Sequence, residues 1–351
     1  MSHFGSARAA NRDTSDKVAP VVSSATMAPH EWLMGEQQWT FVELALPYRL
    51  GELRLFSRSF SGVASNLHFT RTPPALTLPT PPKESLDEHG FVYYPTYPVQ
   101  FVPNPITITK SWIAYTPYVF KNHYIDLAQA GTFANYLQTR FSSKSRWTLQ
   151  RKVRRFAEGD GGSLHCREFS TPSDMSEFQA LACNISARTY QERLLGKGFP
   201  KGAKFTRRLE ESAAIDGVRG YVLFLQGSPI AYMGCFVVDG IMTYNYGGYD
   251  PHSHALSPGT VLQYIVLKSV FESPSISIFD FTEGDGAQKA FFATHHQMCA
   301  KTYFLKRSYR HLALISIHYG LNCAVEGLGR SLDAIGLRSR VRKLIRSAAT
   351  H

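Results

Sequence analysis

No stretch of this 351-residue chain approaches the ~18–20 uninterrupted apolar residues that a membrane-spanning helix needs. The N-terminus lacks the apolar run that follows the basic start of a signal peptide, so export is not expected. Cysteine is sparse. Cys166, Cys183, Cys235, Cys299 and Cys323 are scattered without a CxxC pair, which argues against a disulfide framework and a cysteine zinc site and fits free thiols in a reducing compartment. There is no GxSxG elbow, no GxxxxGKS/T loop and no HExxH. Asp250, His252 and His254, or His295 with His296, show no further ligand at metal spacing, so no metal is expected. Acids are also scarce, 27 against 38 basic side chains, giving a net charge of +11.

What is present fits a globular protein of the cytoplasm, or one peripheral to the inner face of the membrane. Hydrophobic residues make up 44% and charged residues 19%, and the length suggests about two domains. The basic excess favours anionic partners: a phosphorylated cofactor, nucleic acid or an acidic membrane surface. Much of it lies in two stretches. Between residues 140 and 155 stand Arg140, Lys144, Arg146, Arg151, Lys152, Arg154 and Arg155, with no acid among them. Between residues 330 and 346 there are six basic residues against Asp333 alone.

Residues 1–30, rich in Ser, Ala and Thr and without apolar periodicity, are expected to be a disordered tail. An N-terminal lobe is expected over 31–160, with short strands at Thr40–Leu46 and Leu53–Phe56. Nine prolines between 73 and 105 predict loops and edge strands at best across 72–105, because proline offers no amide donor. An extended segment over 111–127 precedes a helix from Thr132 and a basic helix within 140–156. A second domain is expected over 161–308 and a basic helical segment over 309–351. The last carries Leu332, Ile335, Leu337, Val341, Leu344 and Ile345 among arginines, so it either packs on the body or lies on an anionic membrane.

Local signals are strongest after residue 220. Tyr221–Leu225 and Ile230–Val238 read as strands, and Asp239-Gly240 as a hairpin turn. Ile241–Tyr246 returns as a third strand, with Tyr244 and Tyr246 expected on one face. Ser257 reads as the N-cap and Pro258 as the first residue of a helix whose buried face holds Val261, Leu262, Ile265, Val266 and Phe271. A strand at Ile276–Phe281, a short helix at Ala287–Ala293 and a last strand near Thr302–Leu305 complete the series. The helix from Pro258 must carry the chain across to a parallel fourth strand. Its start, with free backbone N–H groups and Gly259, is a natural anion site.

The series of hairpin, Gly248-Tyr249-Asp250-Pro251, Ser257-Pro258-Gly259, helix and Phe279-Asp280-Phe281-Thr282-Glu283-Gly284-Asp285, with Lys289 and Phe291-Phe292, resembles the GNAT-like acetyltransferases of the cellulose-biosynthesis (CelD/BioF2-like) group. These are distant relatives of the Fem aminoacyl transferases. The likeness is clearest over 215–305. It implies an α/β (α+β) GNAT fold, a mixed twisted sheet flanked by helices, with a degenerate GNAT-like N-terminal lobe. It implies transfer of an acyl group from acetyl-CoA or another acyl-CoA to an amine or hydroxyl of a small molecule or sugar, in a setting such as envelope or exopolysaccharide synthesis. Alternatives are aminoacyl transfer from tRNA, the one nucleic acid then expected, and an inactive scaffold that binds a polysaccharide-synthesis partner. The usual phosphate loop of the family, Arg/Gln-x-x-Gly-x-Gly/Ala, survives only in the last position of His254–Gly259.

By the same resemblance, Tyr246, Gly247, Gly248, Ser257, Pro258, Gly259, Thr260 and Lys289 are the cofactor-binding candidates. A backbone N–H near Tyr246-Gly247-Gly248 is expected to meet the developing oxyanion. Thioester aminolysis also needs a base for the amine and a proton for the thiolate. Asp280, Glu283 and Asp285 are the candidate bases and Tyr249 the candidate acid. Each acid has a structural alternative: Asp280 caps the next turn or pairs with Lys289, and the other two make local bonds in a glycine-rich turn.

Overall fold

The computed structural model describes residues 39–50, 53–189 and 198–334. The expected tail at 1–30 and the most basic part of the C-terminal segment, 335–351, lie outside the described residues, as does part of the loop at 196–204. Eleven described strands form one mixed sheet: β1 (Trp39–Leu50), β2 (Leu53–Ser65), β3 (Phe91–Pro98), β4 (Ile106–Ile108), β5 (Trp112–Asp126), β6 (His165–Phe169), β7 (Val218–Leu225), β8 (Ser228–Val238), β9 (Ile241–Tyr249), β10 (Ile278–Glu283) and β11 (His295–Lys306). Their order is β1-β2-β3-β11-β5-β10-β9-β8-β7-β6, and β4 pairs with β5. Strand β5 comes from the expected N-terminal lobe yet lies between β10 and β11 of the expected second domain. The two halves therefore share one sheet.

Nine described helices flank it: α1 (Lys83–His89), α2 (Leu127–Ala130), α3 (Phe133–Arg140), α4 (Ser143–Gly159), α5 (Met175–Ala187), α6 (Ala203–Ala213), α7 (Pro258–Glu272), α8 (Ala287–Phe292) and α9 (Tyr309–Ala334). Thr132 and Ser142 cap α3 and α4 by accepting from the backbone N–H three residues on. One core packs α3, α4 and α7 on the second half of the sheet through Tyr136, Leu149, Phe156, Val261, Leu262 and Phe279. Phe178, Phe199 and Leu209 fill another beneath α5 and α6. In the first half, Val42, Leu44, Leu46 and Tyr48 alternate inward along β1 and meet Ile315 of α9. Among the described residues no helix is long and apolar enough to cross a membrane.

Three expectations need correction. The proline-rich segment holds a helix, α1, and an interior strand, β3, which pairs with both β2 and β11. Interior prolines are tolerated here because pairing with β2 is confined to Val92 and Tyr93. The ladder to β11 shifts between Ala300 and Thr302, leaving Pro95 and Thr96 in a bulge. Second, Tyr244 and Tyr246 fall on opposite faces. The β8–β9 register shifts there, so Asn245 is an extra residue whose Oδ1 accepts from the Phe236 N–H at 3.1 Å. Tyr244 consequently packs with the α7 core and Tyr246 with the α5–α6 core. Third, Ser257 occupies the cap position without a side-chain cap bond. Its backbone is left-handed, φ 55°, ending the 3-10 turn Pro251–Leu256 before α7 begins. The turn at Asp239-Gly240 does have positive φ at both residues, 51° and 75°.

Candidate active site

Strands β9 and β10 run parallel, but only Ile241–Thr243 and Ile278–Asp280 pair. Beyond that point β9 stays with β8, β10 stays with β5, and a wedge opens between them. Each strand bulges where they part: β9 at Asn245, and β10 between Asp280 and Glu283, where Thr282 takes φ 63°. Bulges end pairing and re-aim side chains, so this doubled irregularity is the physical cause of the opening.

On the β9 side the lining is backbone and aromatic rings. A Cβ on Gly247 would lie 2.0 Å from the Tyr244 hydroxyl, and one on Gly248 would lie 2.9 Å from the Tyr232 ring. Only glycine fits at either position. Tyr246 packs edge-on to Phe199 and Phe205, and burial raises its hydroxyl pKa. Tyr249 stacks on His254, with its hydroxyl 3.1 Å from Nδ1. Gly259 in the first turn of α7 lies under the Tyr249 ring, 3.3 Å from where a Cβ would stand. The helix start offers less than the sequence suggested. Pro258 has no N–H, and Thr260 and Val261 both donate to the Ser257 carbonyl. Among the first residues of α7 only the Gly259 N–H is left without a described partner.

On the β10 side every acid already has partners. Asp280 is buried, and its carboxylate accepts from Asn122 Nδ2 at 2.6 Å, Thr282 N at 2.8 Å and His68 Nε2 at 3.1 Å. The Thr70 N–H points at His68 Nδ1, which puts the ring proton on Nε2 for Asp280. Asp280 thus fixes the Thr282 turn and fastens two N-terminal segments to the tip of β10. Lys289 in α8 closes the same turn, donating to Glu283 O at 2.7 Å and to Thr282 Oγ1 at 3.3 Å. Burial lowers its pKa, with Asp280 and Glu283 opposing the shift. Asp285 accepts from His123 Nε2 at 2.8 Å and pairs with Lys121 at 3.2 Å. The His123 bond, followed by Lys121, holds its pKa below the usual carboxylate range. Burial lowers the pKa of His123, which keeps it the neutral donor.

Glu283 stands apart. Its Oε2 accepts from the buried Lys301 ammonium at 2.5 Å, its side chain is 40% exposed, and Oε1 has no described partner. Burial raises the hydroxyl pKa values of the nearby Tyr93, Tyr118 and Tyr303, and the Glu283 charge adds to each shift. The structure therefore gathers Tyr246, Gly247, Gly248, Tyr249, Gly259, Asp280, Glu283 and Lys289 around the wedge or its supporting turn. Ser257 and Pro258 shape the entry to α7, Thr260 borders a pocket against α4, and Asp285 lies toward β5.

Sequence reasoning missed His68, Lys121, Asn122, His123 and Lys301. The signal available was polarity inside strands: Lys121-Asn122-His123 interrupts apolar β5, and Lys301 interrupts Met298–Leu305. Among the described residues no group of three or more His, Cys, Asp or Glu side chains is placed to hold a metal, and all five cysteines are free.

No curated protein matches the chain. Among solved structures, FemX matches with a TM-score of 0.47 and 11% identity, over 80% of this chain and 88% of that one. L-PGS from Bacillus licheniformis matches with a TM-score of 0.43 and 15% identity, over 68% and 76%. A conserved protein of unknown function from Bacteroides thetaiotaomicron gives 0.39 and 12%, and this match spans 57% of this chain and 64% of that one. The family model described as acetyltransferase (GNAT) domain matches residues 143–290, from the first turn of α4 through α8. Over those residues, this chain carries an acetyltransferase (GNAT) domain.

Proposed function

We propose that the protein transfers an acyl group from an acyl-CoA, acetyl-CoA in the simplest case, to an amine or hydroxyl of a small molecule or sugar. The observation that carries this reading is the bulged parting of β9 and β10 directly beside the first turn of α7. A thioester-bearing chain needs such a slot between strands and a positive helix end for its diphosphate. The residues present fit that group: Gly259 has no side chain to block the first turn of α7 beneath the Tyr249 ring, and its N–H has no described partner.

The donor supplies the activated carbonyl, and the protein positions and moves protons. Backbone N–H groups of β9 beyond Thr243, freed from β10, stabilise the oxyanion. Glu283 is the base, its Oε2 oriented by Lys301 while Oε1 takes the proton. The acceptor nitrogen or oxygen bonds to the carbonyl carbon as the C–S bond breaks, and Tyr249 protonates the departing thiolate. Asp280 and Lys289 position the Glu283 turn. An amino sugar suits the polar, tyrosine-rich surroundings of Glu283, and envelope or exopolysaccharide synthesis is the setting we propose.

Release of free thiol from acetyl-CoA over a panel of amines and amino sugars tests this. Glu283→Gln should lower turnover with the best acceptor by about 10²-fold or more, with donor binding retained. A variant as active as the parent would remove Glu283 from the chemistry.

A further inference from the structure

Lys144 and Lys152, one helical face apart by two turns of α4, line a pocket of about 190 Å³ with Ser145, Thr148, Leu149, Thr260 and Phe291. Three helices meet there: α4, the first turn of α7 through Thr260, and α8 through Phe291. The floor is apolar, made by Leu149 and the Phe291 ring, and the rim carries two ammonium groups and three hydroxyls. Among the described residues no carboxylate borders it. Neither lysine ammonium has a described ion-pair or hydrogen-bond partner, and the nearest acid along α4, Glu158, pairs with Arg154. Lys144 is exposed and Lys152 half-buried, so both ammonium groups stay solvated while presenting positive charge with no protein counter-charge at the pocket rim, where an anion would be drawn.

Size and chemistry narrow the visitor. Sites that enclose a whole small-molecule ligand start at roughly 300 Å³, so this pocket holds one end of a larger molecule. A planar ring suits Leu149 and Phe291, and a phosphate suits the lysines. The start of α7 strengthens the inference. With only the Gly259 N–H left without a described partner, helix α7 by itself is a weak anion site, and the lysines of α4 that share a pocket with Thr260 supply positive charge.

We infer that this pocket takes the phosphorylated adenosine end of the donor, its 3′-phosphate paired with Lys144 and Lys152 and its base lying against Phe291. The inference rests on the acyl-CoA reading and adds a specificity element supplied by α4. It assigns to that basic helix the recognition of one phosphate, not a general affinity for polyanions.

Calorimetric titration of the full chain with acetyl-CoA, acetyl-dephospho-CoA and adenosine 3′,5′-bisphosphate tests it. Acetyl-CoA should bind about tenfold or more tightly than its dephospho form, as expected for a charge-assisted phosphate contact. The Lys144→Ala/Lys152→Ala variant should bring that ratio close to one, and Lys144→Arg/Lys152→Arg should restore it. Equal binding of the two coenzymes by the parent, or an unchanged ratio in the alanine variant, overturns the pocket while leaving the donor reading intact. If acetyl-CoA does not bind at all, the donor reading fails and adenosine 3′,5′-bisphosphate decides the pocket. Binding that is lost in the alanine variant supports it, and absence of binding overturns it. Thermal unfolding of each variant checks that it is folded.

Discussion

The two strands that part at the wedge are held in place by different physics. Strand β9 is fixed by shape: glycines 247 and 248 lie against Tyr244 and Tyr232 with no space for a methyl group. Strand β10 is fixed by polar bonds, with Asp280, Lys289 and Asp285 committing their charged groups to one short turn and to β5. Packing of this kind acts locally and does not depend on pH. The polar bracket draws on His68 and Asn122, 212 and 158 residues before Asp280, so it ties the wedge to the N-terminal half of the sheet. The opening is therefore a joint product of residues inside the 143–290 match and of residues outside it.

Breaking the polar side should cost most. Asp280→Ala removes the acceptor for three donors and leaves Asn122 and the Thr282 N–H buried without one. We expect a loss of about 3 kcal/mol, measured by urea denaturation. Asp280→Asn, which keeps an acceptor for Thr282, should lose less. Equal stability of Asp280→Ala and the parent would show that the bracket does not hold β10.

The steric side should break by about 2 kcal/mol with Gly247→Ala, since the new methyl group meets the Tyr244 ring and hydroxyl. Adding Tyr244→Phe should recover only part of the loss, because ring carbons also stand 2.7 Å from the Cβ position. Full recovery would mean that the hydroxyl alone is the obstacle.

The smallest effect separates the two sides by pH. The folded-state pKa of Asp285 is depressed by His123 and Lys121, so its contribution is present above the ordinary carboxylate value of ~3.9. That contribution is lost as pH falls through the lower, folded-state value. Asp285 is half exposed, so less than about 1 kcal/mol is at stake. Asp285→Asn should flatten that acid limb, and Gly247→Ala should leave its slope unchanged. An acid limb of unaltered slope in Asp285→Asn would assign it to other carboxylates.

Legibility in the sequence followed the range of the signals. The β8–β9 hairpin, helix α7 and the strand after it were readable because turn residues, Pro258 and apolar spacing act within a few residues. The acids at the tip of β10 were readable as a cluster. Their partners were not, since β5, β11 and the segment at His68 reach them only through sheet pairing. Bulges were invisible for a related reason. Whether Asn245 or Thr282 is an extra residue depends on the register of the neighbouring strand, not on its own sequence. Interior β3 escapes the proline rule, which holds for fully paired strands, because β3 is paired only in part.

The proposed chemistry requires the wedge and the start of α7 to receive an acyl-CoA, and a titration of the purified chain with acetyl-CoA measures that directly. Saturable binding in the micromolar range, weakened at least about tenfold by Gly259→Asp through repulsion of the diphosphate and displacement of Tyr249, is the predicted result. Absence of saturable binding, or an affinity that Gly259→Asp leaves unchanged, would contradict it.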